Sequence, residues 1–251
     1  PSSPWLHHAT WVLMIAYAAL GCLLLTLFTA KCCAYPRQLA AELQDPGSLG
    51  AGVSTGAMAM ALVAEVCHML WPQAPLLART VWYAGLAIHL LLQVNFTWWR
   101  WRQWRRAAWA TVSPAYFVVY VGICLFAINS KGFVHREAAA AALALGVASL
   151  LWTMPLVLYR LAAKTRLTEA ALPAVAILMA PSPIAAAGWL TLVEASSPLR
   201  MPGAAALYAL TLINAVIVIT CYMKRMYFGV PPRPNWASYT FPTVIAAVAT
   251  I

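Results

Sequence analysis

Long apolar stretches alternate with short polar connections along the whole chain, and this pattern predicts eight membrane-spanning helices. Most of the stretches approach the ~20 residues that an α-helix needs to cross the hydrocarbon core of a bilayer. The predicted spans are 11–29, 52–70, 80–98, 111–129, 138–159, 171–193, 203–222 and 237–251. The fold class that follows is an all-α membrane protein in which transmembrane helical hairpins are repeated.

Positive charges fall mainly in every second connection, which predicts the orientation of the chain. Twelve of the sixteen Lys and Arg residues lie in the connections 30–50, 99–110, 160–170 and 223–236. The other four are Arg79, Lys131, Arg136 and Arg200. Because short loops rich in Lys and Arg stay on the cytoplasmic side, we expect the four connections that hold these twelve residues to be cytoplasmic. The expected location is the inner or plasma membrane.

Composition agrees with a membrane protein and removes nucleic acid as a partner. Hydrophobic residues make up 63% of the chain and charged residues 9%, whereas soluble domains carry about 25% charged residues. A net charge of +10 would indicate nucleic-acid binding in a soluble protein, but here the topology explains it. The Trp- and Arg-rich segment 99–109 is typical of an anchor at lipid headgroup depth, so membrane lipid is an expected partner.

The spans are of two alternating kinds. Those that start at a predicted cytoplasmic connection are rich in Gly, Ala, Ser, Thr and Pro, and we call them the small-residue spans: 52–70, 111–129, 171–193 and 237–251. The other four carry more Leu, Trp and Tyr. The small-residue spans recur about every sixty residues, and internal repeats are a common construction in membrane transporters.

Proline is concentrated in the small-residue spans. The residues concerned are Pro114, Pro173, Pro181, Pro183 and Pro242. Proline within a helix deletes a hydrogen bond and kinks the helix, and the freed carbonyl must then find protein, water or a polar pore. We therefore expect kinked small-residue helices around a central pore, with the bulky helices facing lipid. The alternative is that Pro and Gly are simply commoner in transmembrane helices.

Ionisable groups are rare within the spans, which limits the mechanism. Glu65 is the one acidic residue clearly inside a predicted helix, with His68 one turn away, and it is either a structural acid or the coupling group of a proton-coupled carrier. His68 and His89 lie in adjacent spans and could bind haem or a metal, but they lie at different depths and no second pair exists. We expect no cofactor and no metal. No nucleophile elbow, phosphate-binding Gly loop, HExxH or paired-carboxylate pattern occurs, so an enzyme is not expected.

Three segments resemble the tellurite-resistance/C4-dicarboxylate transporter family. They are 111–117 (TVSPAYF), 172–185 with its MAPSPIA run, and 236–242 (WASYTFP), and they occur in the family's order. The family includes TehA-like bacterial proteins, fungal malate and sulfite permeases, and plant slow anion channels. The resemblance implies ten helices in five hairpins, a pore formed by the five odd-numbered helices, and a homotrimer.

The resemblance also implies a function and a gate. A phenylalanine in the ninth helix closes the family's pore, and Phe241 is the residue that matches it. Ser113, Ser182 and Thr240 are then possible pore-lining hydroxyls, unless each bonds back to its own helix. The predicted function is a channel or transporter for small inorganic or organic anions. We expect the chain to be a single transmembrane domain, a fragment that lacks the first and last helices of the family fold.

Overall fold

The computed structural model describes residues 4–44, 48–107, 112–163 and 169–223. In these ranges the chain is helical between short turns, and it contains no strand. The α-helices are α1 (Pro4–Ala34), α2 (Pro36–Gln44), α3 (Ser48–Leu70), α4 (Pro75–Ala107), α5 (Tyr116–Tyr120), α6 (Cys124–Ile128), α7 (Arg136–Ala162), α8 (Pro181–Leu192) and α9 (Arg200–Val218). A 3-10 helix covers Glu169–Met179, and a π-helical turn covers Ile219–Met223. The predicted all-α fold is confirmed.

Five segments of the described chain are long and apolar enough to cross a membrane. They are Ala51–Leu70, Pro75–Gln103, Arg136–Ala162, Leu172–Leu192 and Arg200–Cys221. A sixth span is formed if the bent pair α1 and α2 is counted as one, with an angle of 99° between Ala19–Ala34 and Pro36–Gln44. The predicted spans 11–29, 52–70, 80–98, 138–159 and 203–222 each fall within a helix or overlap one closely.

The small-residue segments pack against one another in a row. Helix α3 contacts α5 and α6, and α6 contacts α8, while α4, α7 and α9 pack on the outside of this row. In the span Leu172–Leu192 61% of the residues in the most apolar window are buried, whereas in Pro75–Gln103 and Arg200–Cys221 22% are. The spans Ala51–Leu70 and Arg136–Ala162 are intermediate, at 33% and 44%. Large apolar side chains of the outer helices point away from the protein, among them Leu91, Leu151 and Val216. Small residues permit this close central packing because they let helix backbones approach.

Two predicted boundaries differ from the structure. The span 111–129 is not one helix: residues 121–123 form a turn between α5 and α6, because Gly122 and the proline at 114 leave few regular helical hydrogen bonds in so short a segment. The connection 99–110 is helical as far as Ala107. After Pro75 no proline occurs in α4 to stop it, so the helix runs about 50 Å, which exceeds the thickness of the hydrocarbon core. The predicted span 237–251 lies outside the described residues.

Candidate functional site

The second small-residue segment is broken in its middle, and Gly122 lies at the break. The carbonyl of Phe117 accepts hydrogen bonds from the backbone N–H of both Val121 (2.9 Å) and Gly122 (3.0 Å). A Cβ atom at position 122 would overlap the carbonyl oxygen of Val118 and lie 2.7 Å from Met58 Sδ. Any other residue would therefore clash with the backbone of its own segment and displace the end of the Met58 side chain. The conformation of this turn thus requires glycine at position 122.

Helix α4 supplies hydrogen bonds to carbonyls that the broken segment leaves without helical partners. Helices α5 and α6 have only five residues each, and the last four carbonyls of any helix lack an intrahelical donor. Trp82 Nε1 donates to the carbonyl oxygen of Phe126 at 3.0 Å, and His89 Nε2 lies 2.9 Å from the carbonyl oxygen of Val119. Both side chains are fully buried. Because a carbonyl only accepts, Nε2 of His89 carries the proton.

The third small-residue segment changes helix type at its proline cluster. The 3-10 helix Glu169–Met179 contains Pro173 and ends one residue before α8, which begins at Pro181. Pro181 and Pro183 thus occupy the first turn of α8, where a missing N–H breaks no intrahelical bond. Both residues are buried. The structure places these prolines at a junction between two helices.

Of the remaining predicted site residues, the structure describes Pro114 but not the three in segment 240–242. Pro114 is buried and directly precedes α5, where its carbonyl accepts from Phe117 N at 3.1 Å. Thr240, Phe241 and Pro242 lie outside the described residues. Their roles stay predictions.

Three buried hydroxyls, one from each described small-residue segment, have no hydrogen-bond partner among the residues that the structure describes. They belong to Ser54 in α3, Ser113 before α5 and Ser182 in the first turn of α8. Ser54 and Ser182 are 1% and 0% exposed. Most buried hydroxyls in proteins are bonded, and Thr153 illustrates this, since its Oγ1 donates to the carbonyl of Ser149 at 2.6 Å. The three unpartnered hydroxyls can therefore donate to something other than protein.

Three ionisable side chains lie elsewhere in α3 and α4. Glu65 is partly buried in α3, and His68, one turn further along, packs on the ring of Phe133 with centroids 4.8 Å apart. Arg100 is 5% exposed near the far end of α4, with its guanidinium 5.4 Å from the ring centre of Tyr116. In the described ranges no group of three or more His, Cys, Asp or Glu residues is close enough to hold a metal ion.

The sequence prediction missed two features of this arrangement. Ser54 was not predicted, because Ser113 and Ser182 were selected in segments that resemble the family and lie beside prolines, whereas α3 contains no proline. Its position in a small-residue span is the signal that could have found it. Trp82 and His89 were assigned to a lipid-facing helix, and His89 to a possible cofactor site. Their burial against the broken segment depends on which face of α4 points inward, and α4 has hydrophobic residues on all sides.

Comparison with known proteins identifies one family. A family model described as "SLAC1: Voltage-dependent anion channel" matches residues 1–251. No curated protein sequence matches the chain.

Proposed function

This chain belongs to the SLAC1 family of voltage-dependent anion channels, and from that premise we propose that it conducts small inorganic or organic anions passively along a path lined by its small-residue helices. The family places the chain among multi-pass membrane proteins that are channels or transporters and not enzymes. What is proposed beyond this is the path, the kind of anion and the gate.

The observation that carries the proposal is the set of three buried hydroxyls that have no partner in the described part of the chain. They lie on α3, before α5 and on α8, and these elements are neighbours in the row α3, α5/α6, α8. A hydroxyl can donate to an anion and replace part of its hydration shell without holding it as tightly as a fixed cation would. Conduction requires such weak binding, because an ion that enters must also leave.

Helix breaks along the same row support the path. Helix α8 begins in the middle of the third small-residue segment, so the positive end of its dipole lies inside the protein and next to Ser182. Irregular backbone at membrane depth is tolerated where it is buried in protein or faces water. A broken helix beside an unbonded hydroxyl is therefore a suitable lining for an anion path.

We propose Phe241 as the gate, from its match to the family motif. An apolar ring closes a path by steric occlusion and dewetting and needs no charge. Passive conduction fits the scarcity of ionisable groups, since the ranges of α3, α5, α6 and α8 that the structure describes contain one carboxylate, that of Glu65. We further propose a homotrimer in the inner or plasma membrane, with the connections 30–50, 99–110, 160–170 and 223–236 in the cytoplasm.

The test is anion flux into liposomes that contain the full-length protein, with wild type compared with Phe241→Ala. Removing the ring should raise the flux severalfold at equal protein content, because the steric barrier disappears. Phe241→Leu is the matched control: it keeps an apolar side chain of similar bulk and should stay close to wild type. Equal flux in wild type and in Phe241→Ala would remove Phe241 as the gate.

The same assay separates the proposed channel from a proton-coupled carrier. Glu65 is partly buried within a span, which is the position that a coupling carboxylate would occupy. Passive conduction predicts that Glu65→Gln leaves the flux unchanged and that a pH gradient does not drive uptake. Uptake that follows the pH gradient and is abolished in Glu65→Gln would replace the channel by a carrier.

A further inference from the structure

A cavity of about 540 Å³ lies where α6 and α8 end, between the connection after α6 and the connection after α8. We call it the basic cavity. Its walls include the cations Lys131, Arg136 and Arg200 and the single carboxylate of Glu194. The excess of positive charge makes it attractive to anions. The basic cavity lies at the opposite end of the bundle from the Arg-rich end of α4. None of the three hydroxyls of the proposed path lines it.

One cation of the basic cavity is already neutralised and two are not. Arg136 Nη1 lies 2.8 Å from Glu194 Oε1, and its Nη2 donates to the carbonyl of Leu192 at 3.1 Å. Among the residues that the structure describes, neither Lys131 nor Arg200 has an acidic partner. These two cations are therefore the ones that can bind a ligand.

Arg200 is held in place with part of its guanidinium unsatisfied. Its Nη2 donates to the carbonyl of Leu190 at 3.3 Å, and its own carbonyl accepts from Trp189 Nε1 at 3.1 Å. Its Nε is buried and has no partner within the described ranges. A buried donor without an acceptor is unfavourable, so a ligand that accepts this hydrogen bond would be stabilised.

Two helix N-termini add to the positive potential. Helix α7 begins at Arg136 and α9 begins at Arg200, and both residues line the basic cavity. Their N-cap residues, His135 and Leu199, make no side-chain capping bond. The positive ends of the two helix dipoles favour an anion there.

We propose that the basic cavity is a binding site for a small planar oxyanion, such as nitrate or a carboxylate, held by Arg200 and Lys131. A guanidinium is planar and presents parallel N–H donors that match two oxygens of a trigonal anion, whereas a halide cannot use both donors equally well. Binding at this site does not require conduction. Its role as the place where the anion is loaded at one end of the path rests on the proposed function.

The first experiment measures binding to the full-length protein in detergent. Nitrate, succinate and chloride are titrated at constant ionic strength, and the thermal unfolding temperature is followed, because a ligand that binds the folded state raises it. Wild type should give a saturable rise with nitrate and succinate and a smaller one with chloride. Lys131→Gln and Arg200→Gln should each weaken binding about tenfold, since each removes one of two cations at short range.

Matched variants keep the result interpretable. The double variant Arg136→Gln/Glu194→Gln removes an ion pair from the same cavity without changing its net charge, and it should bind nitrate as wild type does. Arg200→Lys keeps the charge and removes the planar donor pair, so it should bind chloride and nitrate equally. Lys131 is exposed, so Lys131→Gln should fold normally even if Arg200→Gln does not. Wild-type binding that is not saturable, or that persists unchanged in Lys131→Gln, would overturn the site.

The second experiment tests loading, by measuring nitrate flux into liposomes at low and high nitrate for wild type and Lys131→Gln. Loading predicts a lower flux in the variant at low nitrate and equal flux at high nitrate. Binding that is lost in Lys131→Gln while its flux curve stays at wild type would refute the loading role and leave the site. Normal binding with no flux in any variant, including Phe241→Ala, would refute conduction instead.

Discussion

The packing of α6 against α7 depends on Gly146, and adding one methyl group there tests how closely the two helices approach. A Cβ atom at position 146 would overlap Cys124 Sγ, and its next neighbours are Ile123 Cγ2 at 3.1 Å and the backbone nitrogen of Cys124 at 3.4 Å. Cys124 is fully buried, so its sulfur has no space to move into. Gly146→Ala must therefore separate the helices or force Cys124 from its rotamer.

The expected magnitude follows from these neighbours. Overpacking a closely packed core costs about 1–3 kcal/mol, and Cys124→Ala alone removes one buried heavy atom at a cost of about 1 kcal/mol. In the double variant the sulfur is gone, and the two remaining neighbours require a shift of only a few tenths of an ångström. We expect the double variant to be more stable than the sum of the single costs predicts, by about 1–2 kcal/mol.

The assay is thermal unfolding of the full-length protein in one detergent for wild type, both single variants and the double variant. A change of 1 kcal/mol corresponds to a shift in Tm of about 2–4 °C for a chain of this size. Gly52→Ala is the control, because a Cβ atom there meets nothing within 4 Å. That substitution lies in α3 and should be neutral or stabilising, since alanine favours the helix.

Two outcomes would refute the reasoning. If the costs of Gly146→Ala and Cys124→Ala simply add, the methyl group and the sulfur do not compete for the same space. If Gly146→Ala is as harmless as Gly52→Ala, α6 and α7 are further apart than the structure places them.

Two further substitutions test the hydrogen bonding of the broken segment and of the proposed path. Trp82→Phe keeps an aromatic ring but removes the donor to the carbonyl of Phe126. It should therefore lower the free energy of unfolding, measured by thermal unfolding, by about 1–3 kcal/mol. A loss below about 0.5 kcal/mol would show that this carbonyl has another donor. Ser182→Ala removes a hydroxyl that has no partner among the described residues, so stability should be unchanged while anion flux falls severalfold in a Phe241→Ala background. Thr153→Val removes a hydroxyl that is bonded within α7, so it should lower stability and leave the flux unchanged. Equal flux with and without Ser182→Ala in the Phe241→Ala background would remove Ser182 from the path.

The sequence was sufficient to predict the approximate position of most spans that the structure describes, because long apolar runs are typical of membrane-spanning helices. It overstated their number. Seven predicted spans lie in the described part of the chain, whereas five segments, or six with the bent pair α1 and α2, are long and apolar enough to cross a membrane. The most buried of the candidate spans, Leu172–Leu192, is a small-residue span, but Ala51–Leu70 is less buried than Arg136–Ala162, so the separation into central and outer helices stays a prediction. Family membership was confirmed by the match to residues 1–251. The spans follow from composition within single segments, and the family follows from three short motifs.

What the sequence could not predict depends on contacts between segments. Gly122, at the break 121–123, lies against Met58 of α3, and no local pattern reveals that neighbour. The sequence left haem or metal binding by His68 and His89 open as an alternative, because a histidine in a span shows no evident partner in the sequence. The partner of His89 is the carbonyl of Val119, thirty residues further along the chain, and a backbone acceptor leaves no trace in the side-chain pattern.

The hydrogen bonds from α4 to the broken segment also constrain how the protein is made. Segment 112–128 leaves carbonyls in the hydrocarbon that its own short helices cannot satisfy, so it is a poor candidate for independent insertion into a membrane. Trp82 and His89 precede it in the chain, and the ribosome has therefore delivered both donors before the first of these carbonyls is synthesised. For this pair of segments the order along the chain is also an order of assembly, since the regular helix α4 is made before the irregular segment whose carbonyls it satisfies.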